Sequence, residues 1–243
     1  MRIIANNKHY KELNEEIVSA IQNGVVEFTL EDVNGQRFIA DCLKGELKID
    51  IYGTPGNDLG MFMEGPTITV FGNAQDGVGN TMSSGKIIIH GDGRDILGHS
   101  MRGGTIFVEG DVGYRVGIHM KTYKSSVPVI VAGGHAGDFL GEYMAGGIII
   151  ILGMKDDSDT LGDWIATGQH GGAIYVRGDV DESKLGNGAS SFQMTDADKT
   201  VVKKVLTEYC NTFGLNVNEL LRVDFTKIAP LSHRPYAALY TCD

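Results

Sequence analysis

His90, His99, His119, His135 and His170 could ligate a metal or move protons, but no two of them stand at a metal-type spacing such as four residues apart on a helix. Asp92, Asp95, Asp111 and Asp138 lie among glycines and could suggest calcium. Calcium-binding glycine-aspartate rolls need a nine-residue repeat with aspartate at every turn, which is lacking, so turn formation is their expected role. Ser83, Ser84, Ser100, Ser125 and Ser126 lack the strand-to-helix elbow that would make one a nucleophile. Cys42, Cys210 and Cys242 are odd in number and widely separated, so they read as free thiols rather than a disulfide framework or a cluster ligand set. The glycine-rich loops look like phosphate-binding turns, yet those turns hold phosphate at the start of a following helix, and each loop here leads to another strand. The residues thus predict no catalytic, cofactor-binding or metal-binding site. What stands out is a basic group, Arg115, His119, Lys121 and Lys124, in a lengthened turn between Gly113 and Ser126. It reads either as a solvated loop or as a docking surface.

The elements that carry these residues repeat. An alternating apolar phrase closed by glycine ends at Gly53, Gly72, Gly91, Gly110, Gly133, Gly153 and Gly178, at intervals of 19, 19, 19, 23, 20 and 25. A fixed period of this size marks a solenoid whose repeats bury their apolar faces against one another. A second phrase follows: an apolar residue and a glycine (Gly60, Gly79, Gly98, Gly117, Gly141), then, after two variable residues, Met63, Met82, Met101, Met120 and Met144. Leu161-Gly162 with Ile165 reads as its sixth copy. The methionines are expected to stack inside the coil, and the glycines to turn its corners. Alternation puts Ile106 and Val108 inside and Phe107 outside. The fold predicted is all-β, a single-stranded right-handed parallel β-helix of about seven turns with helical caps at both ends.

The flanks supply the caps. Leu13, Ile17, Ala20 and Ile21 share a helical face ended by Gly24, and a strand-like run follows from Val25 to Leu30. From Asp196 to Phe213, Val201, Val202, Val205, Leu206, Tyr209 and Phe213 form a second helical stripe stopped by Gly214. Leu185-Gly186 suggests one further, incomplete turn. The expected division is a cap over 1–44, the β-helix over 45–193 and a helix with an extended tail over 194–243. The 21 basic and 31 acidic residues give a net charge of -10, which argues against nucleic acid as a partner. No segment reads as membrane-spanning and no signal peptide is evident, so the cytoplasm is the expected location.

TPGNDLG at 54–60, GNAQDGVGNTM at 72–82, GDVGYRVGIHMK at 110–121 and GGHAGDFLGEYMAGG at 133–147 resemble the C-terminal β-helix domain of the glutamate synthase large subunit, the GXGXG domain. The resemblance spans about residues 45–178 and extends weakly into the N-terminal helix. Similar domains occur in one of the subunits of formylmethanofuran dehydrogenase and in N-methylglutamate synthase-like enzymes. The resemblance implies a stand-alone domain without catalytic residues, bracing a class II glutamine amidotransferase subunit and an FMN-binding synthase subunit that make glutamate from glutamine and 2-oxoglutarate. FMN and an iron-sulfur cluster would reside on those partners and no cofactor on this chain. Which complex of the family this is, and whether the chain self-associates as a homo-oligomer, stay open.

A reading of another class is an independent β-helix acting on carbohydrate. It needs paired carboxylates on one lateral face, whereas the outward positions Thr69, Ile88, Phe107, Ile130, Ile150 and Tyr175 are mostly apolar. Apolar outward residues suggest burial against another chain or a covering segment. Phe107 and Ile150, with the basic group, are therefore the expected partner interface. A charge at either is expected to weaken partner binding and leave the solenoid folded, as checked by pull-down and circular dichroism.

Overall fold

The computed structural model describes residues 1–155 and 160–232. Strand β1 (Arg2–Ile4) and helix α1 (Tyr10–Gln22) precede β2 (Glu27–Asn34), β3 (Lys48–Thr54), β4 (Glu64–Phe71), β5 (Ser84–Ile89), β6 (Thr105–Val108), β7 (Val129–Ala132), β8 (Ala145–Ile151) and β9 (Gly171–Arg177). Each of these strands pairs in parallel with the next. The chain is a parallel β-solenoid with about six regular turns, those separating β3 from β9. The expectation of about seven gave one turn to each strand. A degenerate coil precedes them: Gly60 N–H donates to Ile39 O (2.9 Å), so Ile39-Ala40 lies under Leu59-Gly60, and the ladder starts ahead of residue 45. Helix α1 closes that end, with Leu13, Ile17 and Ala20 buried against the first coil.

β-branched residues build the interior. Ile49, Ile68, Ile87, Ile106, Ile130, Ile149 and Ile174 are register partners from turn to turn, an unbroken isoleucine column with each member wholly buried. Stiff at χ1, such side chains pack well one above another on a pleated surface. Facing them is the glycine column of the second phrase. A Cβ on Gly98 would lie 2.4 Å from Ile130 Cδ1, and one on Gly117 2.5 Å from Ile149 Cδ1. Each glycine hollow is thus filled by the isoleucine methyl of a later turn. The five methionines are fully buried beside it, as expected. The sixth copy is shifted: Ala166 N–H donates to Leu140 O (2.7 Å), which puts Ile165-Ala166 in the column and Gln169 at the methionine place. Leu161-Gly162 stacks instead on Ala136-Gly137 at a corner. Leu185 bridges Ile165, the further incomplete turn.

The outward face changes character along the axis. The column Thr29, Asp50, Thr69 is polar, and its continuation Ile88, Phe107, Val131, Ile150, Tyr175 is apolar. Helix α2 (Asp196–Phe213) covers the apolar part through Val202, Leu206, Tyr209 and Cys210. Its bounds and left-handed Gly214 stop match the sequence reading, but α2 lies on the flank and caps no end. The end is closed by β10 (Ala189–Gln193) and β11 (Phe225–Pro230), with the short helix α3 (Val217–Leu220) before β11. Strand β11 runs antiparallel between β9 and β10. The rest of the expected extended tail, and Cys242, lie outside the described residues.

Two corrections follow from this cover. Phe107 and Ile150 are buried under α2 of the same chain and offer nothing to a partner, so a charge at either would destabilise the fold rather than leave it intact. Ile130 points inward and Val131 takes the outward place. The cover is pinned by hydrogen bonds at both ends. Tyr209 Oη donates to Val108 O (3.0 Å), and Asp198 accepts from Tyr175 Oη (2.7 Å), Lys227 Nζ (2.8 Å) and Thr195 Oγ1 (2.6 Å). Burial opposes the Asp198 charge, but the bonds from Lys227, Thr195 and Tyr175 outweigh it and hold the carboxyl below the usual carboxylate range.

Phe107→Ala is expected to cost about 3–5 kcal/mol, the range for a fully buried aromatic, measured by urea unfolding. Asp198→Asn is expected to cost about 1.5–3 kcal/mol at neutral pH, as for hydrogen bonds to a charged group. Because the folded carboxyl titrates below the unfolded one, this stability is in place above about pH 4 and is lost as pH falls. Unfolding curves of wild type and Asp198→Asn should therefore converge in acid; a constant gap would refute the assignment.

Candidate docking surface

Opposite the strands, each turn runs through three left-handed residues separated by single residues of ordinary φ. Arg115, Gly117 and His119 have φ of 54°, 71° and 56°, Phe139, Gly141 and Tyr143 of 60°, 67° and 52°, and Ile96, Gly98 and Ser100 of 53°, 71° and 53°. Left-handed backbone costs an L-residue roughly 1–2 kcal/mol. Hydrogen bonds to both adjacent turns offset it. Arg115 N–H donates forward to Asp138 O (2.9 Å) and His119 N–H to Glu142 O (3.1 Å), while Gly117 N–H donates backward to Leu97 O (2.8 Å). The middle residue of each trio faces the core; from Gly60 to Gly141 only a hydrogen fits under the isoleucine, and Ala40 and Ala166 hold the place in the first and last trios. The flanking two project side chains outward.

These outward columns carry large groups. Phe139 and Trp164 stack at 5.1 Å between centroids, and the Arg115 guanidinium lies 4.4 Å over Phe139. His119 stacks on Tyr143 at 5.4 Å, with His99 edge-on to His119 at 6.0 Å. Burial, and after it the neighbouring His119, hold His99 below the usual imidazole value. Phe62, Ile96, Tyr143 and Trp164 are exposed large apolar side chains, Trp164 at 54%.

The expected basic group is placed on this surface, but its members differ in availability. Arg115 Nε donates to Glu142 Oε2 (2.9 Å), so its charge is engaged within the chain. His119 is exposed and stacked, Lys121 is half-buried, and exposed Lys124 lies over its neighbour Tyr123. Phe139, Tyr143 and Trp164 were not singled out from sequence. Their signal was positional, two residues before or after the column glycine (or Ala166).

The turn aspartates hold turns together. Asp92 Oδ1 accepts from Asp111 N–H (2.9 Å), Asp95 Oδ1 from Tyr114 N–H (3.0 Å), Asp111 Oδ1 from His135 N–H (2.8 Å) and Asp138 Oδ1 from Asp163 N–H (2.9 Å). Lys155 Nζ bridges Asp92 (2.6 Å) and Asp111 (2.9 Å), and these bonds raise its pKa. Cys42 and Cys210 are free thiols. Among the described residues no group of three or more His, Cys, Asp or Glu is gathered to hold a metal ion, and no helix is long and apolar enough to cross a membrane. Near the last turn a cleft of about 560 Å³ is lined by His119, Tyr143, His170, Asn187 and Ser232, with Gln169 in its wall. What this surface can do chemically is recognition: stacking, cation–π contact and hydrogen bonding.

Comparison with known proteins finds a family and a relative. The family model described as GXGXG motif matches residues 3–231, well beyond the span of the resemblance read from sequence. An uncharacterized protein of Methanocaldococcus jannaschii is 54% identical over 251 residues, covering 99% of this chain and 96% of that protein.

Phe62 is half exposed at φ 54°. Phe62→Gly relieves left-handed strain but frees the unfolded chain by a similar amount, roughly 0.5–1 kcal/mol. Stability within about 1 kcal/mol of wild type is expected, measured by thermal unfolding; a large loss would show that the outward columns hold the fold together.

Proposed function

The chain belongs to the GXGXG motif family, and from that premise we propose that it is a non-catalytic structural subunit of a glutamate synthase-type complex, bracing an amidotransferase chain and an FMN-binding synthase chain. The observation that carries this reading is the family match over nearly the whole chain, a domain that fits glutamate synthase-type proteins. A second observation supports it. The side chains that could have done chemistry are engaged in stacking the solenoid: Asp92, Asp95, Asp111 and Asp138 each accept a backbone N–H from the next turn, and Arg115 pairs with Glu142. A stack pinned at every turn is a rigid spacer, and rigidity is what a brace between mobile catalytic chains requires. In this reading FMN and the iron-sulfur cluster belong to the partner chains, and glutamine and 2-oxoglutarate never meet this one.

Native mass and visible absorption of the protein gently isolated from its own cells provide the test. Co-purification with a yellow flavin-bearing chain and an amidotransferase chain, the lone chain being colourless and inactive, is the expected result. A protein isolated free of both would overturn the reading.

A further inference from the structure

Two turns of the left-handed surface are basic although the chain as a whole is acidic. Across the two turns 94–102 and 113–124 lie Arg94, Arg102, Arg115, Lys121 and Lys124 against Asp95 alone, in a chain of net charge -10. Asp95 accepts the Tyr114 N–H, and Arg115 pairs with Glu142. Arg94, Arg102, Lys121 and Lys124 form no ion pair among the described residues. Register places Arg102 beside Lys121, since Lys121 N–H donates to Met101 O and Arg102 N–H to Met82 O (both 2.9 Å). These cations stand on the turns that carry exposed Ile96 and His119, and exposed Tyr143 and Trp164 follow on the next two turns of the stack.

We propose that this surface, and not the strand face or either end of the solenoid, is where the chain docks its partner, and that the occupant is an acidic protein surface with an adjoining apolar patch. The strand face is excluded along its apolar half because α2 already covers it. A basic pair of turns beside exposed aromatic turns supplies the two elements of a protein interface, an aromatic patch that carries affinity and charges that set partner sign and encounter rate. Five turns at about 4.8 Å stack to roughly 24 Å, a length suited to an interface of standard size. The partner's identity rests on the function proposed for the chain; the location and sign of the surface do not.

The experiment is lysine acetylation footprinting of the complex isolated from its cells, compared with the free chain, together with the emission of Trp164, the single tryptophan. Protection of Lys121 and Lys124 by fivefold or more, a blue shift of Trp164 and dissociation on raising salt from 0.05 to 0.5 M are expected. Arg102→Glu with Lys121→Glu, at exposed or half-buried positions, should leave unfolding unchanged and weaken the complex at least tenfold. Protection confined to Lys48 and Lys86 on the strand face or Lys11 on α1, protection by a second copy of this chain or by nucleic acid, or a free monomer would each overturn the proposal. Mass spectrometry of the partner separates the two readings. An acidic partner that is neither amidotransferase nor flavin synthase, bound at Lys121 and Lys124, would sink the proposed function and keep this surface.

Discussion

Isoleucine against glycine across a narrow interior is the contact on which the molecule depends. The strand column from Ile49 to Ile174 presents a δ-methyl at every turn, and the facing column from Gly60 to Gly141 leaves a hollow of the same pitch. Interiors close-packed to this degree feel the addition of one methylene. The coil cannot widen without opening a void, nor slip by one residue without turning the isoleucines to solvent. Like therefore stacks on like, and the methionines fill the irregular space that remains.

Fixing the interior fixes both outer surfaces. On the strand side, every second residue must face outward, and from β5 onward these residues are apolar enough to require a cover, supplied by α2. On the opposite side, the backbone alternates between left-handed and ordinary conformations so that successive amides bond forward and backward along the stack. That alternation throws Phe62, Ile96, Arg115, His119, Phe139, Tyr143 and Trp164 outward. The apolar half of one side is covered by the chain itself, and the other side stays exposed.

Much of this was legible because a solenoid writes its geometry in a repeat. The period, the methionine column and the α2 stripe with its Gly214 stop could all be read from spacing alone. Errors arose where the repeat is ambiguous by one residue. At Gly133-Gly134 the corner belongs to Gly134, whose N–H donates to Gly110 O (2.8 Å). The intervals there are 134 − 110 = 24 and 153 − 134 = 19 rather than 23 and 20. The slip exchanged Ile130 with Val131, because neighbouring strand residues face opposite ways. Similarly, Ala40 and Ala166 at left-handed positions hid the first coil and displaced the sixth copy of the methionine phrase. That Phe107 and Ile150 would be covered was legible; that the cover is α2 was not, since an amphipathic stripe shows that a face is buried and not what buries it. The aromatic surface escaped because its residues differ in type from turn to turn and share only their distance from glycine.

The interlock is tested most directly by a double-mutant cycle on Gly98→Ala and Ile130→Val, followed by urea unfolding. The added Cβ would lie 2.4 Å from the Ile130 methyl that the second change removes. If that contact governs the fold, the double variant is more stable than the sum of the single losses by about 0.5–3 kcal/mol, the range for coupled neighbours. Strict additivity would contradict the account and leave left-handed strain at Gly98 as the sole reason for glycine there.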